Sequence, residues 1–460
     1  MEEFEKKNRQ EEDNLNYIFD GEEGGRPHVK PDEVYQQDVY QPIHLKPPRI
    51  SRFSKAFISA MLAVVMFASG FLLAWYAVPS EEEKLARFIK DVVDKYFYDV
   101  DGSGYSFIEG IGVGMVKSLD EYSTFYSGES LQGLYHEREG RFNDTGMVFK
   151  VNGGECMVLK VYGGSPAYEA GIKAGDVLEK VNDFETAAKS LAEIREEIFR
   201  IQKSGQELVY TFKRYFGEQT QTRTVTNLKS AEYTPVFSYY YDSGDIIALP
   251  QDAAYITLDE FSYGADGQFK QNLEKFKQGG KKDLILDLRT NPGGSLNILQ
   301  SIASYLITDG TAGENVLLAV AEYKDKSTQK YFTTGNYYSQ YFGQDSRIVV
   351  LTNGDSASAT EVLICAMKDY GTIHKLVGEP TYGKAVMQAY FEYQRKYGIY
   401  VTVALLYSPV KNQTYNRTAD KDYGFMPDEV VAYQKAGELI YDPQFMKAVQ
   451  VLGSQEPVEV

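Results

Sequence analysis

Residues 347–361 read RIVVLTNGDSASATE. Arg347–Thr352 is an apolar, β-branched run with no polar alternation, the pattern of a strand covered on both faces. Asn353–Ser358 are small turn residues. Beyond them Val362, Cys365 and Met367 recur at helical spacing as far as Gly371. A second stretch repeats the plan. DLILDL (283–288) is an apolar strand, RTNPGG (289–294) a glycine turn, and Leu296, Leu299, Ile302 and Leu306 mark a helix. With a further strand at Ala254–Leu258, two strand–turn–helix units predict an α/β core from about residue 231. In such cores functional groups lie at the carboxyl ends of the strands, and both turns qualify.

Upstream, residues 145–228 have a different texture. Gly146-Met147-Val148-Phe149 starts a strand, and GGSPAYEAGIKAGDVLEKVND (163–183) leads through Gly171, Gly175 and Asp176 into the strand Val177–Val181. A helix is expected near Ser190–Gln202 and a strand near Leu208–Arg214. The S-P-A…A-G-I…G-D-V-L string resembles a PDZ domain. Such domains add a peptide C-terminus as a strand and capture its carboxylate with backbone N–H groups. The resemblance implies that Gly146, Met147, Val148 and Phe149 form that edge. Earlier still, Ser80-Glu81-Glu82-Glu83 reads as a capping box. It is followed by Leu85, Phe88, Ile89, Val92, Val93 and Tyr96 at helical spacing, then by a second amphipathic stretch from Ile108 to Leu119.

From Ala56 to Val78 no charged residue occurs, a length that crosses a hydrocarbon core of roughly 30 Å. Lys46, Arg49, Arg52 and Lys55 precede it and Glu81–Glu83 follow, so the positive-inside rule puts the N-terminus in the cytoplasm and the bulk of the chain outside. Residues 1–55 are polar and expected to be a disordered tail. The organisation expected is thus 1–55 tail, 56–78 transmembrane helix, 79–144 N-terminal helical region, 145–230 PDZ domain and 231–460 α/β core with a C-terminal segment. In class it is a mixed α+β core with an inserted PDZ domain.

Composition narrows the chemistry. The 48 basic and 65 acidic side chains leave a net charge of −17, the wrong sign for coating nucleic-acid phosphates. Four histidines and two cysteines are too few for a zinc module or a disulfide scaffold. The expected topology leaves only His136 and His374 outside, so a general base other than histidine is needed. Cys156 and Cys365 read as small buried hydrophobes.

Ser358 opens a helix, where free N–H groups and positive potential suit a developing oxyanion; the plainer reading is that Ser356 and Ser358 are N-caps. GEPTYGKA (378–385) has the outline of a P-loop, but Ala385 stands where the Mg²⁺-binding hydroxyl belongs, and Val386, Gln388 and Tyr390 alternate like a strand. Together DLRTNPGG (287–294), SASATE (356–361), GKAVMQ (383–388), the lead-in Leu119-Asp120-Glu121-Tyr122-Ser123 and the late Pro427-Asp428 resemble the C-terminal processing peptidases, PDZ-containing serine endopeptidases with a Ser–Lys dyad. The resemblance spans about residues 80–435. It implies Ser358 as nucleophile, Lys384 as general base and Gln388 orienting the lysine from the same strand face. It also implies backbone N–H groups of Gly293 or Gly294 and of Ala359 as the oxyanion hole. Ala385 departs from the family's common glycine, and Asp369 is read as structural support. A buried lysine loses its proton more readily, which answers the shortage of histidine without metal or cofactor. The function expected is a membrane-anchored endopeptidase acting on extracytoplasmic proteins with accessible C-termini. A non-catalytic PDZ adaptor is the alternative, and a homodimer through the helices at 83–119 and the C-terminal segment is left open.

Overall fold

The computed structural model describes residues 61, 64–66, 80–96, 106–216, 219–311, 314–418, 420–433 and 439–453. They fall into two compact units, residues 1–98 and 99–460. In the first, Ser80 caps the helix Glu81–Tyr96. Its N–H donates to the Glu83 carboxylate and its hydroxyl accepts the Glu83 N–H, each at 3.2 Å, the reciprocal box read from the sequence. The expected tail 1–55 and span 56–78 lie outside the described residues, apart from Met61 and Val64–Met66, which are helical. Among the described residues no helix is long and apolar enough to cross a membrane.

In the second unit a six-stranded sheet runs in the order Tyr240–Asp242, Ala253–Thr257, Asp283–Asp287, Ile348–Thr352, Lys375–Gly378, Glu429–Val430. The first strand joins antiparallel and the rest are parallel. Successive side chains point to opposite faces, and these strands are apolar on both. Ile256, Leu284, Leu286 and Val350 meet the helices Ala265–Gln278, Leu296–Leu306 and Ala359–Asp369. Tyr255, Ile285, Val349 and Leu351 meet the helix Pro443–Gly453 through Phe445, Ala448 and Leu452. The parallel register aligns the carboxyl ends of the three neighbours 283–287, 348–352 and 375–378, because Asp287 pairs with Leu351 and Thr352 with Gly378.

An antiparallel sheet adjoins it. The long strand Tyr397–Tyr407 carries Val386–Tyr393 along one edge, while Thr124–Ser127 and Leu317–Tyr323 share the other. Thr124 pairs with Tyr400 and Gln388 with Thr402. A segment before residue 124 is thereby held beside one near residue 388.

Residues 147–226 form a sheet of their own, in the order Met147–Asn152, Glu155–Val161, Val177–Val181, Val209–Phe216, Gln219–Thr226. Its core includes Val158, Leu178, Phe212 and, from the helix Leu191–Ser204, Ile194 and Ile201. Asp176 of the G-D pair is buried and takes a two-pronged ion pair from Arg214, both contacts at 2.7 Å. Met147–Asn152 is an edge strand, with one side unpaired. Cys156 and Cys365 are both buried and free, one in this core and the other in the larger one.

Candidate active site

Three turns converge at the aligned strand ends: 288–294 after Asp283–Asp287, 353–358 after Ile348–Thr352, and 379–384 after Lys375–Gly378. Hydrogen bonds from side chains and backbone lock the first two together. Ser356 Oγ donates to Leu288 O at 2.8 Å, Thr290 N donates to Asn353 Oδ1 at 2.9 Å, and Ala357 N donates to Asn291 O at 3.0 Å. Ser356 is thus committed to structure.

Ser358 is not. Its backbone sits at φ 57°, ψ −119°, a region that L-residues avoid. Its N–H donates to Glu361 Oε2 at 3.1 Å, and the Glu361 N–H returns to the Ser358 carbonyl oxygen at 2.8 Å, which leaves the hydroxyl out of the cap. A strained residue of this kind, at a strand-to-helix turn and with an uncommitted hydroxyl, is the arrangement that presents a nucleophile.

Lys384 is half-buried. Its Nζ donates to Gln388 Oε1 at 2.8 Å and lies 4.9 Å from the centre of the Tyr122 ring. Burial lowers its pKa below the ordinary lysine value, against the opposing charges of Asp120, Glu121 and Glu361. The expectation that strand periodicity sets the Lys384–Gln388 contact needs correction. Lys384 precedes the strand, which begins at Val386, and the register shifts between Met387 and Gln388. The contact comes from the turn and the bulge.

Glu361, to which the sequence reading gave no role, links the two halves. Its carboxylate is fully buried and takes four donors: Thr381 Oγ1 (2.6 Å) and Gly383 N (2.7 Å) on Oε1, Lys384 N (2.8 Å) and Ser358 N (3.1 Å) on Oε2. One oxygen therefore holds the backbone of both Ser358 and Lys384. Burial pushes its carboxyl up from the usual range, opposed by these donors. The Gly383 and Lys384 N–H groups a P-loop would turn on a phosphate are spent here, and a strand follows where a P-loop needs a helix.

The glycine turn packs against Ser358. Gly293 has φ 101°, and a Cβ there would come within 2.8 Å of both Ala359 N and Ser358 Cβ. Its own N–H donates to Asn291 Oδ1 at 3.0 Å. Of the three N–H groups expected to form an oxyanion hole, Gly293 is thus occupied. Those of Gly294 and Ala359 meet no acceptor among the described residues. His374 lies at the amino end of the strand Lys375–Gly378, opposite to the end that leads to Lys384.

Residues 252–431, which include all three turns, match the profile of Peptidase family S41. The chain carries a peptidase family S41 domain. It is 31% identical over 284 residues to a "Probable CtpA-like serine protease" of Staphylococcus aureus, covering 61% of this chain and 52% of that protein. A "Carboxyl-terminal-processing protease" of a Picosynechococcus species is 29% identical over 357 residues, 76% of this chain and 80% of its own. The chain spans about half the length of the staphylococcal relatives it matches. Among solved structures, an S41 protease assigned to Bacteroides fragilis shares the fold at a TM-score of 0.54 and 16% identity, over 79% of this chain and 96% of its own.

The S41 domain brings Ser358, Lys384, Gln388, Gly294 and Ala359 to one end of its sheet. Gly146, Met147, Val148 and Phe149 stand apart, at the start of the edge strand of the smaller sheet. Gly146 N–H is held by Asp144 Oδ1 at 2.6 Å, so it is not open to a ligand. The two regions are nonetheless joined: Lys150, on that edge strand, reaches Asp355 in the 353–358 turn at 2.6 and 2.8 Å. Asp369 accepts from Ser408 Oγ and Val410 N and pairs with Lys411 at 3.2 Å, a structural post. Glu361 had a visible signal, the S-x-x-E box at Ser358. Tyr122 lies in the Leu119–Ser123 lead-in that the resemblance singled out, but no local pattern announces its bond to Gln388, 266 residues away.

Proposed function

We propose that the protein is a membrane-anchored serine endopeptidase that cleaves extracytoplasmic proteins and recognises their C-terminal tails through the 147–226 unit. The observation that carries the catalytic part is the shared carboxylate of Glu361, which fixes a strained Ser358 and a desolvated Lys384 from one oxygen. Neutral Lys384 takes the proton of the Ser358 hydroxyl as Oγ bonds to the scissile carbonyl carbon. The carbonyl oxygen becomes an oxyanion facing the N–H groups of Gly294 and Ala359. Protonated Lys384 then gives its proton to the leaving amine, and the C–N bond breaks. Water adds to the acyl-enzyme with Lys384 as base, releasing the new C-terminus and regenerating Ser358. Gln388 holds the ammonium in line.

The free edge of Met147–Asn152 supports the reading of tail recognition. Met147, Phe149 and Val151 pack on the same core as Ile194 and Ile198 of the helix Leu191–Ser204, so an added strand would lie between strand and helix. The membrane anchor and the extracytoplasmic placement rest on residues 46–83 of the sequence.

The test is digestion of an unfolded protein with an apolar C-terminus. Ser358→Ala and Lys384→Ala each lower kcat by a factor on the order of 10³ or more. A Ser358→Ala protein that cleaves as fast as its parent would sink the proposal. A peptide with a free apolar C-terminus binds, and its C-terminal amide binds at least about tenfold more weakly; equal affinities in a titration would remove the tail reading.

A further inference from the structure

Lys384 has a neighbour that the dyad does not include. Tyr122 belongs to none of the three apolar cores, and it is only half-buried. Its ring lies against the Lys384 ammonium, and its carbonyl oxygen accepts from Gln388 Nε2. We propose that Tyr122 is a positioning residue for Lys384: its ring walls the ammonium from solvent, and its carbonyl decides which end of the Gln388 amide faces the lysine. This rests on the reading of Ser358 and Lys384 as the catalytic pair.

The amide argument is one of donors and acceptors. A glutamine offers an oxygen at one end and N–H groups at the other. Lysine, protonated, can only donate. With Nε2 bound to the Tyr122 carbonyl, Oε1 is the end left for Lys384, at 2.8 Å. Turned over, the amide would set donor against donor at Lys384 and acceptor against acceptor at Tyr122, losing both bonds.

The carbonyl is itself held. Asp120 Oδ1 accepts the N–H groups of Tyr122 (2.9 Å) and Ser123 (2.6 Å), and Ser123 Oγ accepts from Thr402 N at 3.3 Å. Thr402 is the residue that pairs with Gln388. A loop from before the smaller sheet and the strand after the lysine are therefore set by the same residue.

The ring argument is one of water. Lys384 is faced by Asp120 and Glu121 from the Tyr122 loop and by Glu361 from the nucleophile's helix, all favouring the ammonium. Glu121 is drawn to Arg417, which stacks on Tyr382 at 4.2 Å. Burial is what opposes these charges, and the Tyr122 ring supplies part of it. A cation over an aromatic face gains about 0.5–1 kcal/mol at an exposed site, which works the other way. Burial heads the causes acting on Lys384, so opening the site to water wins.

The experiment is the pH dependence of kcat/KM for the full chain on an unfolded protein substrate, with rates normalised to the Ser358 that a fluorophosphonate titrates, so that an unfolded fraction does not mimic the effect. Tyr122→Ala moves the acid limb to higher pH. It loses about tenfold at pH 7 for each unit the limb moves and recovers towards the parent in alkali. Tyr122→Phe, which keeps ring and carbonyl, rescues the parent profile. A loss by the same factor at every pH, or a Tyr122→Ala profile that overlays the parent, overturns the assignment. Ser358→Ala run alongside separates the two readings: if it cleaves, the catalytic pair itself is wrong; if it is inert while Tyr122→Ala overlays the parent, only Tyr122 is misassigned.

Discussion

At the scale of the residue, Ser358 holds a conformation that costs on the order of 1–3 kcal/mol. Glycine adopts it freely; alanine does not. Ser358→Gly is therefore expected to be more stable than Ser358→Ala by about 1–2 kcal/mol in chemical denaturation, both being inert. Equal stabilities would mean that the backbone stores no strain there. Glu361→Gln puts an amide NH₂ opposite two N–H donors, so its maximal rate falls by about tenfold or more with KM little changed. The lost negative charge also lets Lys384 shed its proton more easily, so the acid limb of the pH profile moves to lower pH, the opposite sense to Tyr122→Ala. The grouping of Ser358, Lys384 and Gln388 was legible only through the resemblance of SASATE and GKAVMQ to the motifs of the C-terminal processing peptidases. Which glycine of the Gly293–Gly294 pair keeps an open N–H was not legible, because only the fold reveals that Asn291 has already taken the N–H of Gly293.

At the scale of the element, local pattern carried far. Val177–Val181 and Leu296–Leu306 are present with the limits their sequences suggest, since each is a continuous apolar or periodic run closed by a glycine turn or a cap. The antiparallel sheet was not legible. Thr124–Ser127 pairs with Tyr397–Tyr400, and nothing in either segment announces a partner so distant in the chain. The helix Pro443–Gly453 is similar: its amphipathic face is visible only once the second face of the sheet needs a cover. Phe445 is fully buried there, edge-on to Tyr255 at 5.2 Å between ring centres. Phe445→Ala is expected to cost about 3–5 kcal/mol in urea unfolding. A loss below about 1 kcal/mol would show that the helix is not needed to close that face.

At the scale of the whole molecule, the candidate site draws on three neighbouring strand ends and on a loop before the smaller sheet, so the chain leaves the region of the site at residue 124 and returns to it near 290. The smaller sheet is inserted between. Its only described ion pair with the 353–358 turn, Lys150 with Asp355, is partly exposed, its side chains 42% and 29% accessible. Such a pair contributes little to stability, about 0–1 kcal/mol. Raising salt from 0.1 to 1 M shortens the Debye length from about 10 to 3 Å, so any link it carries between tail binding and cleavage weakens accordingly. Lys150→Ala should abolish that salt dependence; a salt response unchanged in the variant would place the link elsewhere.

That contact has a thermodynamic reach beyond either end of it. If an occupied edge strand favours one arrangement of Lys150 and Asp355, a covalent adduct on Ser358 that favours the same arrangement must raise tail affinity by the factor by which the tail raises affinity for the adduct. A dead-end inhibitor would then behave as a glue, retaining the cut protein's new end on an enzyme that can no longer use it.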